Sequence, residues 1–101
     1  MNIDTLTKHI SQWGADRAIT INGKPLGQAG KMIEEAAETL QAVIKGDKSE
    51  IIDGIGDVYV TLVMLAETSN LDIADCIEAA YEEIKDRKGF LDSNGVFNKE
   101  M

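Results

Sequence analysis

The run Glu50-Ile51-Ile52-Asp53-Gly54-Ile55-Gly56-Asp57-Val58-Tyr59-Val60-Thr61-Leu62-Val63-Met64-Leu65-Ala66 decides how this chain folds. Valine-rich apolar runs also occur as buried strands, but the length here and the flanking pattern favour a helix. We read a helix from about Lys48 to Ser69. Its second half is apolar nearly all round, which predicts burial on every side. At about 100° per residue, Glu50, Asp53 and Asp57 fall within about 60° of one another. The same face continues into Val60, Thr61 and Met64, so Asp57 is expected where the helix dives into the core. An unpaired buried carboxylate is very costly. No arginine is nearby, and Lys45 and Lys48 lie at the far end of the helix. A metal ion shared with a second acid cluster resolves the conflict.

That second cluster lies one short loop upstream, in Glu34-Glu35-Ala36-Ala37-Glu38. It belongs to a helical stretch from about Leu26 to Ile44, whose apolar stripe is Met32, Ile33, Ala36, Ala37, Leu40, Val43 and Ile44. On the wheel Glu34, Glu35 and Glu38 lie opposite this stripe, so alone they would be a solvated face. Together, two carboxylate-bearing faces on consecutive helices can converge on divalent cations. Hard oxygen ligands select Mg²⁺ or Mn²⁺, and a polyphosphate is the natural substrate of such a site. Gly54 and Gly56 each cost about 1 kcal/mol in a helix. They suggest close approach of a ligand, or tight helix packing, with about equal weight.

The remaining segments complete an all-α reading. A first helix from about Asp4 to Asp16 carries Ile3, Leu6, Ile10 and Trp13 at three-to-four spacing, with Asp4 as its cap. The stretch Arg17 to Gly27 reads as a loop, with Asn22-Gly23 and the only proline, Pro25. Gly46-Asp47 makes a short turn, so the helices around it should be antiparallel. The fourth helix starts after Asp72, carries Ile73, Ile77, Ala80, Tyr81 and Ile84 as its stripe, and runs to about Lys88, where Gly89 stops it. Asn70 is a C-cap position for the third helix. Asn94-Gly95 between apolar residues signals a small hairpin. The expectation is one domain over residues 1–101: an antiparallel four-helix bundle with a short C-terminal hairpin.

Bulk properties bound the function. The chain has 101 residues, 10 basic against 18 acidic, and a net charge of −8. That argues against nucleic acid or anionic lipid as a partner, though bound cations would let a phosphorylated substrate approach. No apolar run is long enough to span a membrane, and the N-terminus lacks a signal-peptide core. With one cysteine, Cys76, the chain is expected to be soluble and cytoplasmic. One His and one Cys make zinc a poor candidate. Glu-x-x-His motifs of di-iron bundles are absent, as is a GxxxxGK[ST] loop.

Basic and aromatic residues are the other candidates. Lys85 and Lys88 flank one side of the last helix and Arg87 the other. Dipole complementarity at a helix C-terminus explains them adequately, and contact with β- and γ-phosphates is the functional reading. Lys31 precedes Glu35 by four, the spacing of a surface ion pair. Trp13 reads as core before it reads as a base-stacking platform.

Lys31-x-x-Glu34-Glu35-x-x-Glu38, a spacer, and Asp53-x-Ile55-Gly56-Asp57 together resemble the MazG-like all-α nucleotide pyrophosphohydrolases. The resemblance extends to Trp13 and Arg17, Pro25-Leu26, Gly46-Asp47, the segment Ala79-Ala80-Tyr81-x-x-Ile84-Lys85-x-Arg87-Lys88-Gly89, and Asn94-Gly95-Val96-Phe97. The family's usual second motif, Glu-x-x-Asp ending at Asp57, would place glutamate where this chain has Gly54. Asp53 instead resembles a variant of short, phage-type members. The resemblance implies Mg²⁺, with Mn²⁺ able to substitute, on Glu35, Glu38 and Asp57, with Asp53 or Glu50 completing the set. It implies that Glu34 orients or deprotonates the attacking water or binds a further metal, with Glu38 as the other catalytic group. Lys31, Lys85, Arg87, Lys88 and Trp13 would then meet the substrate. The implied reaction is (d)NTP plus water to (d)NMP plus pyrophosphate, by attack at the α-phosphorus. The implied role is control of the deoxynucleotide pool, with a purine such as dGTP as a narrower substrate. Homodimers or homotetramers are implied as well. The competing reading is a non-enzymatic acidic helical oligomer that binds a basic protein.

Overall fold

Gly46 and Asp47 set the architecture by closing a tight turn between the two longest helices. In the computed structural model, which describes residues 1–100, the elements are α1 (Ile3–Asp16), α2 (Ile19–Asn22), α3 (Pro25–Lys45), α4 (Lys48–Thr68), α5 (Ile73–Ile84), β1 (Gly89–Leu91) and β2 (Phe97–Lys99). Pro25 opens α3 at a position where its missing N–H is not needed. Gly46 ends that helix at φ 72°, a left-handed conformation that glycine adopts without strain. Asp47 then caps α4 by accepting the Glu50 N–H at 3.2 Å. The two helices fold back antiparallel, and their mutual packing is the most extensive in the chain.

The other elements rest on α4. α1 crosses it at Gly14, which is buried, and a Cβ there would meet Met64 Cε at 2.6 Å. The hydroxyls of Thr7 and Tyr59 share a hydrogen bond of 2.7 Å between the same helices. α5 starts after Asn70, in the left-handed region at φ 59°, with Asp72 accepting the Ala74 N–H. It touches α4 near that end. β1 and β2 pair antiparallel with Leu91 opposite Phe97. Their loop is organised by Asp92, which accepts from the N–H groups of Asn94 and Val96 and from the Asn98 amide.

The fully buried core is small: Ala42, Thr61, Val63, Met64 and Ala66. The Cα radius of gyration is 15.6 Å, against about 13 Å for a compact domain of this length. Much apolar surface is left uncovered within one chain. Among the described residues, no helix is long and apolar enough to cross a membrane.

Several sequence expectations need correction. Among the described residues the helices number five, not four, because the stretch read as a loop contains α2, entered through Ala18 at φ 60°. Asn2 rather than Asp4 caps α1, accepting the Thr5 N–H. α5 ends at Ile84, not Lys88, and Gly89 begins β1 instead of stopping a helix. The C-cap of α4 is Ser69, with Asn70 one position beyond. The second half of α4 is only partly enclosed: Val58, Tyr59, Val60, Leu62 and Leu65 are half-buried in one chain. Trp13 is not core. It is 41% exposed, with the Arg17 guanidinium stacked 4.7 Å from its ring centroid.

The largest correction concerns α3. The wheel set its apolar stripe opposite the acids, which taken alone would form a solvated face. The residues that turn toward α4 are instead Gln28, Met32, Glu35, Thr39 and Ala42, which share one side of the wheel. Ile33, Leu40 and Ile44 are 65%, 61% and 76% exposed. Periodicity located the stripe correctly, but α3 packs on α4 along the stripe's edge, through the face that carries Glu35.

Candidate functional site

Because α3 packs through that face, its carboxylates meet those of α4. Glu35, Glu38, Glu50, Asp53 and Asp57 line one open cleft of about 370 Å³ between the two helices, together with Gln41, Lys45 and Gly54. Glu35 is the most enclosed of them, with its side chain 14% exposed. Glu34 lies just outside, on the flank of α3. Asp57 was expected inside the core and is instead exposed in the single chain. The cost that made a metal attractive there is therefore not that of a fully buried charge.

Crowding supplies a cost of its own. Partial desolvation in the cleft, followed by the charges of Glu35 and Asp53, pushes the Asp57 carboxyl above its ordinary range. Glu38 is pushed up as well, first by the charge of Glu35. Lys31 sits at the rim with its Nζ 3.4 Å from both Glu34 and Glu35, and both carboxylates raise its pKa. The ion pair expected of Lys31 and Glu35 is thus present. Lys45 was placed too far away to matter, yet it lines the cleft and pairs with Glu50 at 3.6 Å. Two lysines therefore neutralise only part of a five-carboxylate surface.

Among the described residues, no three Asp, Glu, His or Cys side chains form a preassembled ligand set for one ion. The donor chemistry still suits a hard cation, since the cleft offers carboxylate oxygens and a carboxamide and no soft ligand. The acids that line it stand on the third and fourth helices at facing heights, and most are exposed enough to change rotamer.

The basic residues of the chain's end are not brought to this cleft. Lys85 pairs with Glu82 at 2.6 Å and Arg87 with Glu83 at 3.9 Å. Arg87 and Lys88 line a separate cavity against the hairpin, beside Phe90 and Phe97. Trp13 lines neither. The larger groove between α1 and α5, about 840 Å³, has Tyr59 and Glu67 on its wall and none of the clustered acids of the cleft.

Three residues that sequence reasoning passed over belong to the site. Gln41 and Lys45 are on the wheel beside Glu38, and that spacing was available as a signal. Thr39 carried no signal. Its hydroxyl donates to the Glu35 carbonyl at 2.7 Å, and a Cβ on Gly54 would press against its side chain.

Comparison with known proteins bears on what such a cleft does. The family model described as phosphoribosyl-ATP pyrophosphohydrolase matches residues 8–85, a span that holds every carboxylate of the cleft. The chain belongs to the phosphoribosyl-ATP pyrophosphohydrolase family. That family lies within the MazG-like all-α nucleoside triphosphate pyrophosphohydrolase superfamily, as the sequence resemblance implied. The chain is also 35% identical, over 71 residues, to an uncharacterized 18.2 kDa protein of the rep-hol intergenic region of Haemophilus phage HP1. The match takes in 70% of this chain and 44% of that protein, so the chain spans less than half the length of this relative. No solved structure matches. The mostly helical architecture is in keeping with an all-α pyrophosphohydrolase fold.

Proposed function

We propose that this protein is a Mg²⁺-dependent nucleoside triphosphate pyrophosphohydrolase, converting a (d)NTP and water into the (d)NMP and pyrophosphate. The observation that carries the reading is the single cleft lined by five carboxylates from α3 and α4, in a chain of a pyrophosphohydrolase family.

In this reading Glu35, Glu38 and Asp57 hold Mg²⁺, or Mn²⁺ in its place. Asp53 or Glu50, which line the same cleft, completes the set. The bound cation would neutralise phosphate oxygens and polarise the α-phosphoryl group. Glu34 and Glu38 orient the attacking water and take its proton. A bond forms from the water oxygen to the α-phosphorus, the bond from that phosphorus to the bridging oxygen breaks, and pyrophosphate leaves. Lys31, at the rim of the cleft beside Glu34 and Glu35, would be the nearest cation to meet the phosphates. Catalysis rests on positioning and charge neutralisation.

Lys85, Arg87 and Lys88 do not reach this cleft within one chain, and a second copy is the way they would do so. The uncovered apolar surface supports assembly as a homodimer or homotetramer. Trp13 with Arg17, exposed and stacked, offers a base platform. The role we assign is control of the deoxynucleotide pool, with a purine such as dGTP as the narrower substrate; similarity to a phage protein is in keeping with it.

The test is a pyrophosphate-release assay with NTPs, dNTPs and phosphoribosyl-ATP, each with Mg²⁺ and with chelator. Phosphoribosyl-ATP belongs in the panel because it is the substrate in the matching family's name. Metal-dependent pyrophosphate release from a (d)NTP supports the reading. Release from phosphoribosyl-ATP alone would move the substrate, and release from none would favour the acidic binding module, in which Glu38→Gln is harmless.

A further inference from the structure

α4 contains two glycines, Gly54 and Gly56, which stand about 200° apart on its wheel, and their surroundings differ. Gly56 has nothing within 4 Å of where a Cβ would stand. Gly54 is buried against α3, where a Cβ would press on Thr39 Oγ1 and lie 3.0 Å from its Cβ and 3.1 Å from its Cγ2. Thr39 cannot easily yield. Its hydroxyl is tied to the Glu35 carbonyl at 2.7 Å, the bond by which a helical threonine fixes its own rotamer. The contact lies among the acids of the cleft. Glu35 and Glu38 precede Thr39 on α3, and Asp53 and Asp57 flank Gly54 on α4.

We infer that the Thr39–Gly54 contact is the spacer that sets how far apart the carboxylates of α3 and α4 stand, making Thr39 a positioning residue for the divalent cation. The inference rests on the reading of the cleft as a metal centre. It also explains the glycine at position 54. A side chain there has no room, so the carboxylate of this turn stands at Asp53. Mg²⁺ and Mn²⁺ need short bonds in near-octahedral geometry, whereas Ca²⁺ accepts longer bonds and looser shells. Helix separation therefore decides both affinity and choice of cation.

The experiment titrates the full chain with Mn²⁺, and separately with Ca²⁺, while circular dichroism follows folding and the melting temperature. Gly54→Ala should weaken Mn²⁺ binding about tenfold, the scale of a lost supporting contact at a metal site, and weaken Ca²⁺ binding less. Thr39→Gly combined with Gly54→Ala moves the missing side chain to the other helix and should restore most of the Mn²⁺ affinity. Thr39→Val keeps the volume but replaces the hydroxyl with a larger methyl. It should give a smaller loss, and it decides the matter if Gly54→Ala does not fold. A folded Gly54→Ala chain that binds Mn²⁺ as the wild type does, or a folded double variant without recovery, would overturn the spacer alone. A wild-type chain with no Mn²⁺ affinity would overturn the metal reading and the spacer with it.

Discussion

The α3–α4 hairpin has two sides of opposite character. One is the carboxylate cleft of Glu35, Glu38, Glu50, Asp53 and Asp57. The other presents Ile33, Leu40 and Ile44 from α3 with Ile52 and Ile55 from α4, all exposed. A chain folding for its own stability would bury the apolar side and leave the acids in water. This chain packs its helices along the edge between the two, leaving the apolar side bare and enclosing Glu35 among the acids. Crowded like charges and bare apolar surface each carry a free-energy cost. A cation on one side and a second copy on the other would relieve both.

Asp57→Asn or Glu38→Gln should lower pyrophosphate release at least about a hundredfold, the loss typical of a group that stabilises charge at the reacting centre. Their oligomeric state should not change, as light scattering after size exclusion would show. On the opposite side, Leu40→Asp or Ile44→Glu should shift the chain toward monomer by light scattering. Burial of one such side chain contributes about 1.5–3 kcal/mol, so the dissociation constant should rise more than about tenfold. An unchanged mass would mean that the apolar side has no partner.

Gly46→Ala affects both sides, because it strains the turn that joins them. At φ 72° an L side chain costs about 1–2 kcal/mol, readable from the denaturant midpoint. A subtler effect concerns pH. Glu38 and Asp57 have folded pKa values above 4.5 and 3.8, so the folded chain binds more protons than the unfolded one just above those values. Stability of the metal-free chain should therefore fall as pH rises through that window. Asp47 and Asp92, held below 3.8 by hydrogen bonds, act oppositely, and their contribution is lost as pH drops through their lowered values. Melting curves from pH 3 to 7, with and without Mn²⁺, should show the decline only without metal. Smallest of all, Lys45→Met removes an exposed pair with Glu50 and should change stability by less than about 1 kcal/mol.

The hairpin also marks what the sequence made legible. Helical periodicity, Gly46-Asp47, Asp72 and Asn94-Gly95 placed most elements, because each feature acts within a few residues. The stripe on α3 was found, but much of it is left uncovered within one chain. A periodic pattern shows which face is apolar and not whose surface covers it. Asp57 was placed in the core for the same reason: the face it begins is continuous on the wheel, yet the first half of α4, which carries it, is mostly exposed. Trp13 and the C-terminal bases were misplaced because their surroundings depend on packing between distant elements. Thr39 was invisible, since its role exists only where another helix brings a glycine against it.

The metal reading requires the cleft between α3 and α4 to hold a divalent cation. Anomalous diffraction from crystals grown with Mn²⁺ tests it most directly. The account predicts a peak in the cleft within about 2.0–2.2 Å of carboxylate oxygens from Glu35 and Asp57. A peak only elsewhere, or none at a Mn²⁺ concentration that supports pyrophosphate release, would contradict it.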